Sequence, residues 1–206
     1  MGARAGGDRG LSRMQSICVF CGSNCGARES YSEAARDLGR ALAGRSLRLV
    51  YGGAKVGLMG TLADAALAAG GEVVGVIPEA LVAREIAHAE LTETHAVKSM
   101  HERKALMADL SDGFIALPGG AGTLEETFEI WTWGQLGHHR KPVGILNVDG
   151  FYDSLLAFVD HQAGEFFMRQ EHRDMLLVET DPGRLLDRFE TYSAPVVEKW
   201  IRRGER

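Results

Sequence analysis

Short, nearly continuous apolar runs, alternating with longer segments of helical period, constrain this chain more than any other feature. Ser16–Cys21 (SICVFC), Leu47–Tyr51 (LRLVY), Glu72–Ile77 (EVVGVI), Gly113–Leu117 (GFIAL), Pro142–Leu146 (PVGIL) and Met175–Val178 (MLLV) read as strands, with Thr94–Val97 as a further one. Successive side chains of a strand point to opposite faces, so a strand apolar at every position belongs in a parallel sheet covered on both sides. Between the strands, Ser30–Glu33, Ser99–Glu102 and Thr123–Glu126 each match the capping-box pattern of a helix start. Gly44, Gly70 with Gly71, and Gly113 punctuate the helix ends. Helical segments at Phe151–Gly164, Pro182–Thr191 and Pro195–Arg202 close the chain. Such alternation implies right-handed βαβ units in an α/β, Rossmann-like fold: a doubly wound, mostly parallel sheet with helices on both faces. With no internal repeat or linker, residues 14–206 read as one nucleotide-binding domain. Residues 1–13, rich in Gly and Arg but lacking an apolar core, read as a flexible tail and not as a secretory signal.

The formal net charge of −5 supplies no general field for nucleic acid or an anionic membrane. No apolar run approaches the ~20 residues of a membrane span. An anionic ligand must therefore be held by a few fixed donors in a pocket. Cys18, Cys21 and Cys25 cluster near the N-terminus. A metal or redox cluster is one reading, but the odd separation sends Cys18 and Cys21 to opposite faces of a strand. No second Cys or His pair sits at zinc-site spacing. Buried thiols in a reducing cytoplasm account for them better.

In doubly wound sheets, ligands sit beyond the carboxyl ends of the strands, where strand order reverses. Glycine clusters follow three strands: Cys21–Gly22–Ser23, Gly52–Gly53 and Pro118–Gly119–Gly120. Gly52–Gly60 (GGAKVGLMG) is neither a GxGxxG dinucleotide fingerprint nor a P-loop. Gly57 and Gly60 are expected to permit close helix–sheet packing, while Gly52 and Gly53 let backbone approach a ligand. Pro118–Glu126 (PGGAGTLEE) is more specific. Gly119, Gly120 and Gly122 clear side chains so that backbone N–H groups can converge on an anion, and Thr123 adds a hydroxyl at the expected helix start. Capping alone would explain Thr123 and Glu126, but not three glycines ahead of them.

Ser99–Lys104 (SMHERK) places two cations, Arg103 and Lys104, in a first helical turn, against the helix dipole. A solvated face and a ligand-facing pair both remain open. Glu125 and Glu126 point about 100° apart, so they cannot act as a close carboxylate pair. His138–His139 sits at a helix end, where dipole or solvent contacts explain it better than a metal.

PGGAGTLEE with the upstream MHERK resembles the Lonely Guy family, the cytokinin riboside 5′-monophosphate phosphoribohydrolases. The resemblance extends to CGS at Cys21–Ser23, YGG at Tyr51–Gly53, GVIP at Gly75–Pro78, REI at Arg84–Ile86 and KPVGILNVDGFYD at Lys141–Asp153. Relatives often bear the label lysine decarboxylase, yet no lysine here has a persuasive pyridoxal-phosphate context. The resemblance implies that a purine nucleoside 5′-monophosphate is hydrolysed at its N-glycosidic bond, to free base and ribose 5-phosphate. A non-catalytic carrier or sensor on the same fold is the alternative. The resemblance marks Arg103 and Glu126 as catalytic, and it alone selects Glu126 over Glu125. It adds Glu85, Met100, Lys104, Gly119, Gly120, Ala121, Gly122, Thr123, Leu124, Glu125 and Thr132 as substrate contacts, beside Ser23, Gly52 and Gly53. It further implies a cytoplasmic homodimer or larger oligomer with sites near the subunit interface, and neither metal nor other cofactor.

Overall fold

Every residue of β1 (Ser16–Phe20) is buried, as its unbroken apolar sequence requires of a central strand. The computed structural model describes residues 14–82 and 87–195. After β1 come α1 (Glu29–Gly44), β2 (Arg48–Tyr51), α2 (Gly57–Ala68), β3 (Val73–Pro78), the short α3 (Glu79–Val82) and β4 (Glu93–Val97). The chain continues through α4 (Met100–Asp109), β5 (Gly113–Ala116), α5 (Ala121–Gln135) and β6 (Val143–Leu146). A 3-10 turn (Val148–Gly150), α6 (Asp153–Gly164), α7 (Gln170–Asp174), β7 (Leu176–Glu179) and α8 (Pro182–Glu190) follow.

The seven strands pair in the order β4-β3-β2-β1-β5-β6-β7, all parallel. The expected α/β, Rossmann-like sheet is thus observed. Alternation along the strands divides the core in two. Ile17 and Val19 pack with Leu38 and Leu42 of α1, Leu58 and Leu62 of α2, and Leu185 and Phe189 of α8. Cys18 and Phe20 pack on the other face with Met107 of α4, Ile130 and Trp131 of α5, and Val159 of α6. Cys18 and Cys21 do fall in opposite core layers, both as buried free thiols. The polar β4 (ETHAV) is an edge strand, where one side of the backbone needs no apolar cover.

Local expectations fared unevenly. Ser99 does cap α4, its Oγ accepting from Glu102 N at 3.1 Å, while Glu102 Oε2 accepts from Lys98 N at 2.9 Å. Ser30 is not a cap: α1 starts two residues earlier, after Arg28, and Ser30 Oγ instead donates to Asp149 Oδ2 at 2.5 Å. Thr123 is not a cap either, because α5 already begins after Gly120. Strand β7 lies one residue later than read, and α6 starts at Asp153, with Tyr152 as its N-cap residue and the Tyr152 N–H donated back to Asn147 Oδ1. The expected tail and residues 196–202 of the last helix lie outside the described residues.

Candidate active site

Strands β1 to β4 step outward in one direction, and the chain then crosses to place β5 on the other flank of β1. The loops after β1 and β5 therefore diverge and leave a crevice between them, as a reversal of strand order dictates. Gly22 N donates to Pro118 O at 3.0 Å and Leu58 N to Gly22 O at 3.1 Å, fixing the crevice floor. Beyond it opens a cleft of about 370 Å³.

The N-terminus of α5 forms one wall. Its first-turn amides have no intrahelical acceptor, and no side chain caps them. Ala121 and Gly122 are exposed there and line the cleft. Such a helix start offers fixed donors and a favourable dipole to an anion. The three glycines divide by role. A Cβ on Gly119 would collide with the buried Thr123 side chain, whereas nothing lies within 4 Å of the corresponding positions at Gly120 and Gly122. Gly119 is thus demanded by packing, and the other two leave space open.

Helix α4 supplies the opposite wall. Arg103 and Glu126 each expose only 12% of their side chains and form an ion pair, Nη1 to Oε1, at 3.4 Å. Arg103 Nε also donates to the Val76 carbonyl at 3.0 Å. Its guanidinium lies where a Cβ on Gly52 would stand. Burial pushes the Glu126 carboxyl above its ordinary pKa, and the Arg103 charge only partly offsets this. Glu126 is therefore no capping residue but a partly desolvated carboxylate held beside a cation. Glu125, on the adjoining face of the helix, is 57% exposed and meets Lys104 Nζ at 2.5 Å. Lys104 Nζ also lies 2.9 Å from Glu129 Oε2. Its hydrogen bond to Glu125, then that to Glu129, raise its pKa against burial. A Schiff-base amine needs the neutral form, so this lysine is tuned in the opposite direction.

Two cations, Arg103 and Lys104, face three carboxylates, Glu125, Glu126 and Glu129. Among the described residues these side chains give no positive excess, so what the cleft wall offers an anion is the backbone donors of α5. The dipole conflict of the MHERK helix is resolved by these carboxylates, which come from α5.

The structure brings Ser23, Gly52, Met100, Arg103, Gly120, Ala121, Gly122, Thr123, Glu125 and Glu126 to the cleft wall. Gly53, Lys104, Gly119, Leu124 and Thr132 are not on it. The Cα of Gly53, at φ +75°, turns the chain against Ile77 and Gly75, Leu124 packs against the core, and Thr132 lies exposed on α5. Glu85 lies outside the described residues. Gly57 and Gly60 do serve packing, but against loop backbone and not against the sheet: Ser23–Asn24 after β1 and Lys55 before α2, respectively. His139 is structural too, with Nε2 2.8 Å from the Ile130 carbonyl and Nδ1 accepting from Lys141 N. Met59 and Met107 line the cleft and escaped the sequence reading. Met59 follows the second glycine cluster, and that placement was its only signal.

Comparison with known proteins fits this geometry. The family model described as "Possible lysine decarboxylase" matches residues 59–189. The chain is 51% identical over 181 residues to the probable cytokinin riboside 5′-monophosphate phosphoribohydrolase LOGL9 of Oryza sativa subsp. japonica, covering 88% of this chain and 80% of that protein. It is 48% identical over 188 residues to the cytokinin riboside 5′-monophosphate phosphoribohydrolase LOG3 of Arabidopsis thaliana, covering 91% and 87%. Among solved structures, the molybdenum cofactor binding protein of Rippkaea orientalis superposes with a TM-score of 0.67 at 22% identity, over 88% of this chain and 98% of that one. At that identity the likeness is one of fold alone. By the extent and level of its sequence identity, the chain belongs to the family of cytokinin riboside 5′-monophosphate phosphoribohydrolases.

Proposed function

We propose that the chain hydrolyses the N-glycosidic bond of a purine nucleoside 5′-monophosphate, of cytokinin type or AMP, releasing free base and ribose 5-phosphate. The observation that carries this reading is the buried Arg103–Glu126 pair beside the uncapped start of α5. Cleavage of the N-glycosidic bond develops positive charge on the ribose, so a carboxylate held in a partly dry site stabilises the transition state more than the ground state. Glu126 is that carboxylate, and its raised pKa also suits it to take a proton from the attacking water. Arg103 fixes the Glu126 orientation and faces the same cleft, where it can assist the departing base. The backbone of Gly120–Thr123 holds the 5′-phosphate, and that remote binding energy orients the ribose. The Met59, Met100 and Met107 side chains give the cleft a soft apolar lining, adaptable to a planar base.

A cytoplasmic homodimer with sites near the interface is part of the same reading. Met100 on α4 and Leu136, just beyond the end of α5, are large apolar side chains left exposed, and the buried free thiols Cys18 and Cys21 suit a reducing compartment. Among the described residues no helix is long and apolar enough to cross a membrane.

The test is chromatography of AMP, isopentenyladenosine monophosphate and their 5′-dephosphorylated forms after incubation with wild type and Glu126→Gln. The expected outcome is base release from the monophosphates, with most activity lost on dephosphorylation. Glu126→Gln should lower turnover by about 10²- to 10⁴-fold, the range for a displaced acid–base group. Binding of intact nucleotide without base release by the wild type would favour a carrier or sensor.

A further inference from the structure

The segment after β6, NVDGFYD in sequence, stands behind the cleft and not on it, yet it is bonded to the loop after β5 and to the start of α1, which packs against the loop after β1. Beyond Leu146 the chain leaves the sheet through the 3-10 turn, with Asp149 in the left-handed region at φ +49°. Asn147 is buried; its Oδ1 accepts from Tyr152 N at 2.8 Å, and its Nδ2 donates to Asp153 Oδ1 at 2.7 Å. These bonds fix Tyr152, which is 2% exposed and donates its hydroxyl to the Leu117 carbonyl at 2.7 Å.

Leu117 immediately precedes the glycine turn. Its N–H is held by Phe20 O at 2.9 Å, continuing the ladder to β1. Continued register with β1 would bring Gly22 N to the Leu117 carbonyl, but Gly22 N donates to Pro118 O instead and leaves that carbonyl without its strand partner. The Tyr152 hydroxyl therefore replaces a strand partner on the peptide from which the turn departs. Burial pushes the phenol pKa up, so it stays a donor at any physiological pH.

The same segment reaches the other loop. Phe151 packs edge-on against Tyr152, with centroids 4.8 Å apart, and against Tyr31, 5.6 Å apart. The Tyr31 ring lies 2.7 Å from where a Cβ on Gly26 would stand, at the end of the loop after β1. Asp149 accepts from Ser30 Oγ on α1. The result is a continuous brace from the loop after β1 to the loop after β5.

We propose that Tyr152 is a positioning residue for the glycine turn: its hydroxyl fixes the peptide at Leu117, and so sets where Gly120–Thr123 meets the substrate 5′-phosphate. This rests on the reading that the turn holds that phosphate. Tyr152 touches no substrate; it acts through the backbone it holds. Removing the hydroxyl leaves a buried carbonyl unpaired, and the peptide tilts to recover a partner.

Steady-state kinetics of the full chain carrying Tyr152→Phe test the proposal. The substrate is whichever of AMP and isopentenyladenosine monophosphate the wild type turns over faster, with ribose 5-phosphate and the free base as inhibitors. The KM for the nucleotide and the Ki for ribose 5-phosphate should rise together, by about three- to ten-fold, the worth of one ordinary hydrogen bond. Turnover should stay within about two-fold and inhibition by the free base should not move. Phe151→Leu keeps the hydroxyl but loosens the ring that bears it, and should shift the same two constants in the same direction by less. A Tyr152→Phe enzyme with reduced turnover but unchanged KM and ribose 5-phosphate Ki would overturn the proposal, since a merely structural defect lowers the active fraction alone. Should Tyr152→Phe fail to fold, unchanged constants in Phe151→Leu would overturn it equally. If the wild type itself neither prefers the monophosphate nor is inhibited by ribose 5-phosphate, the phosphate reading fails before the brace is tested.

Discussion

Gly52 and Gly120 both follow a strand of the same sheet, both stand in a Gly-Gly pair or next to one, and both line the same cleft. The space above them differs. Over Gly52 it is filled by the Arg103 guanidinium and the tip of Met59; over Gly120, and over Gly122 beyond it, it is empty to 4 Å. A glycine can therefore serve a site in two ways, by admitting a buried charged side chain of the protein or by leaving backbone bare. Substituting each glycine should separate the two uses.

Gly52→Ala should have the larger effect. The new methyl collides with Arg103 and Met59, and Arg103 is the more constrained, being bonded to Val76 O and paired with Glu126. A displacement of about 1 Å in a catalytic group costs on the order of 10²-fold in rate. Turnover should fall by roughly that factor with little change in melting temperature, because the colliding atoms are the ends of flexible side chains. A rate within two-fold of wild type would show that Arg103 needs no such placement.

Glu126 sharpens the contrast through pH. Its pKa is raised by burial, so if the ionised form is the working one, activity should fail on the acid side at a higher pH than an ordinary carboxylate would give. Arg103 opposes that shift, so Arg103→Met should move the acid limb further up. Stability runs the opposite way with pH. A carboxyl with a raised folded pKa contributes stability that is present below its unfolded pKa and lost as pH rises through the folded value. Glu126→Gln removes an ionisation that burial opposes, so its melting temperature relative to wild type should be higher at neutral pH and should lose that margin on acidification. A variant that melts lower at neutral pH would mean that the Arg103 pair outweighs the burial.

How much of this was legible in the sequence depended on distance along the chain. The strands were, because an unbroken apolar run reports its own burial, and so was the cap at Ser99, because its partner is three residues away. Thr123–Glu126 shows the limit of such local patterns. It satisfies the capping pattern as well as Ser99–Glu102 does, but α5 begins at Ala121, after Gly120, and Glu126 turns inward to Arg103. That choice depends on α4 lying across the cleft from α5, which follows from strand order and not from spacing. Resemblance selected Glu126 over Glu125, and the structure supplies the physical difference: the side chain of one is largely buried beside Arg103, that of the other exposed on Lys104. Likewise, the filling of the space above Gly52 depends on residue 103, which no periodicity connects to it.

Gly122→Ala is the mildest change and the most discriminating one. Gly122 is the second residue of α5, and nothing stands within 4 Å of an added methyl. Within a helix, alanine is favoured over glycine by up to about 1 kcal/mol, so the fold should be slightly stabilised and melt a few degrees higher. The methyl would nonetheless occupy space that the proposed phosphate must enter to reach the free amides. The expected outcome is therefore opposite signs: a raised melting temperature together with a raised KM for the monophosphate, by about ten-fold if one amide contact to the anion is lost. A protein both more stable and equally avid for nucleotide would mean that the space over Gly122 is merely solvent. The anion would then have to sit nearer Gly120, against the loop after β1.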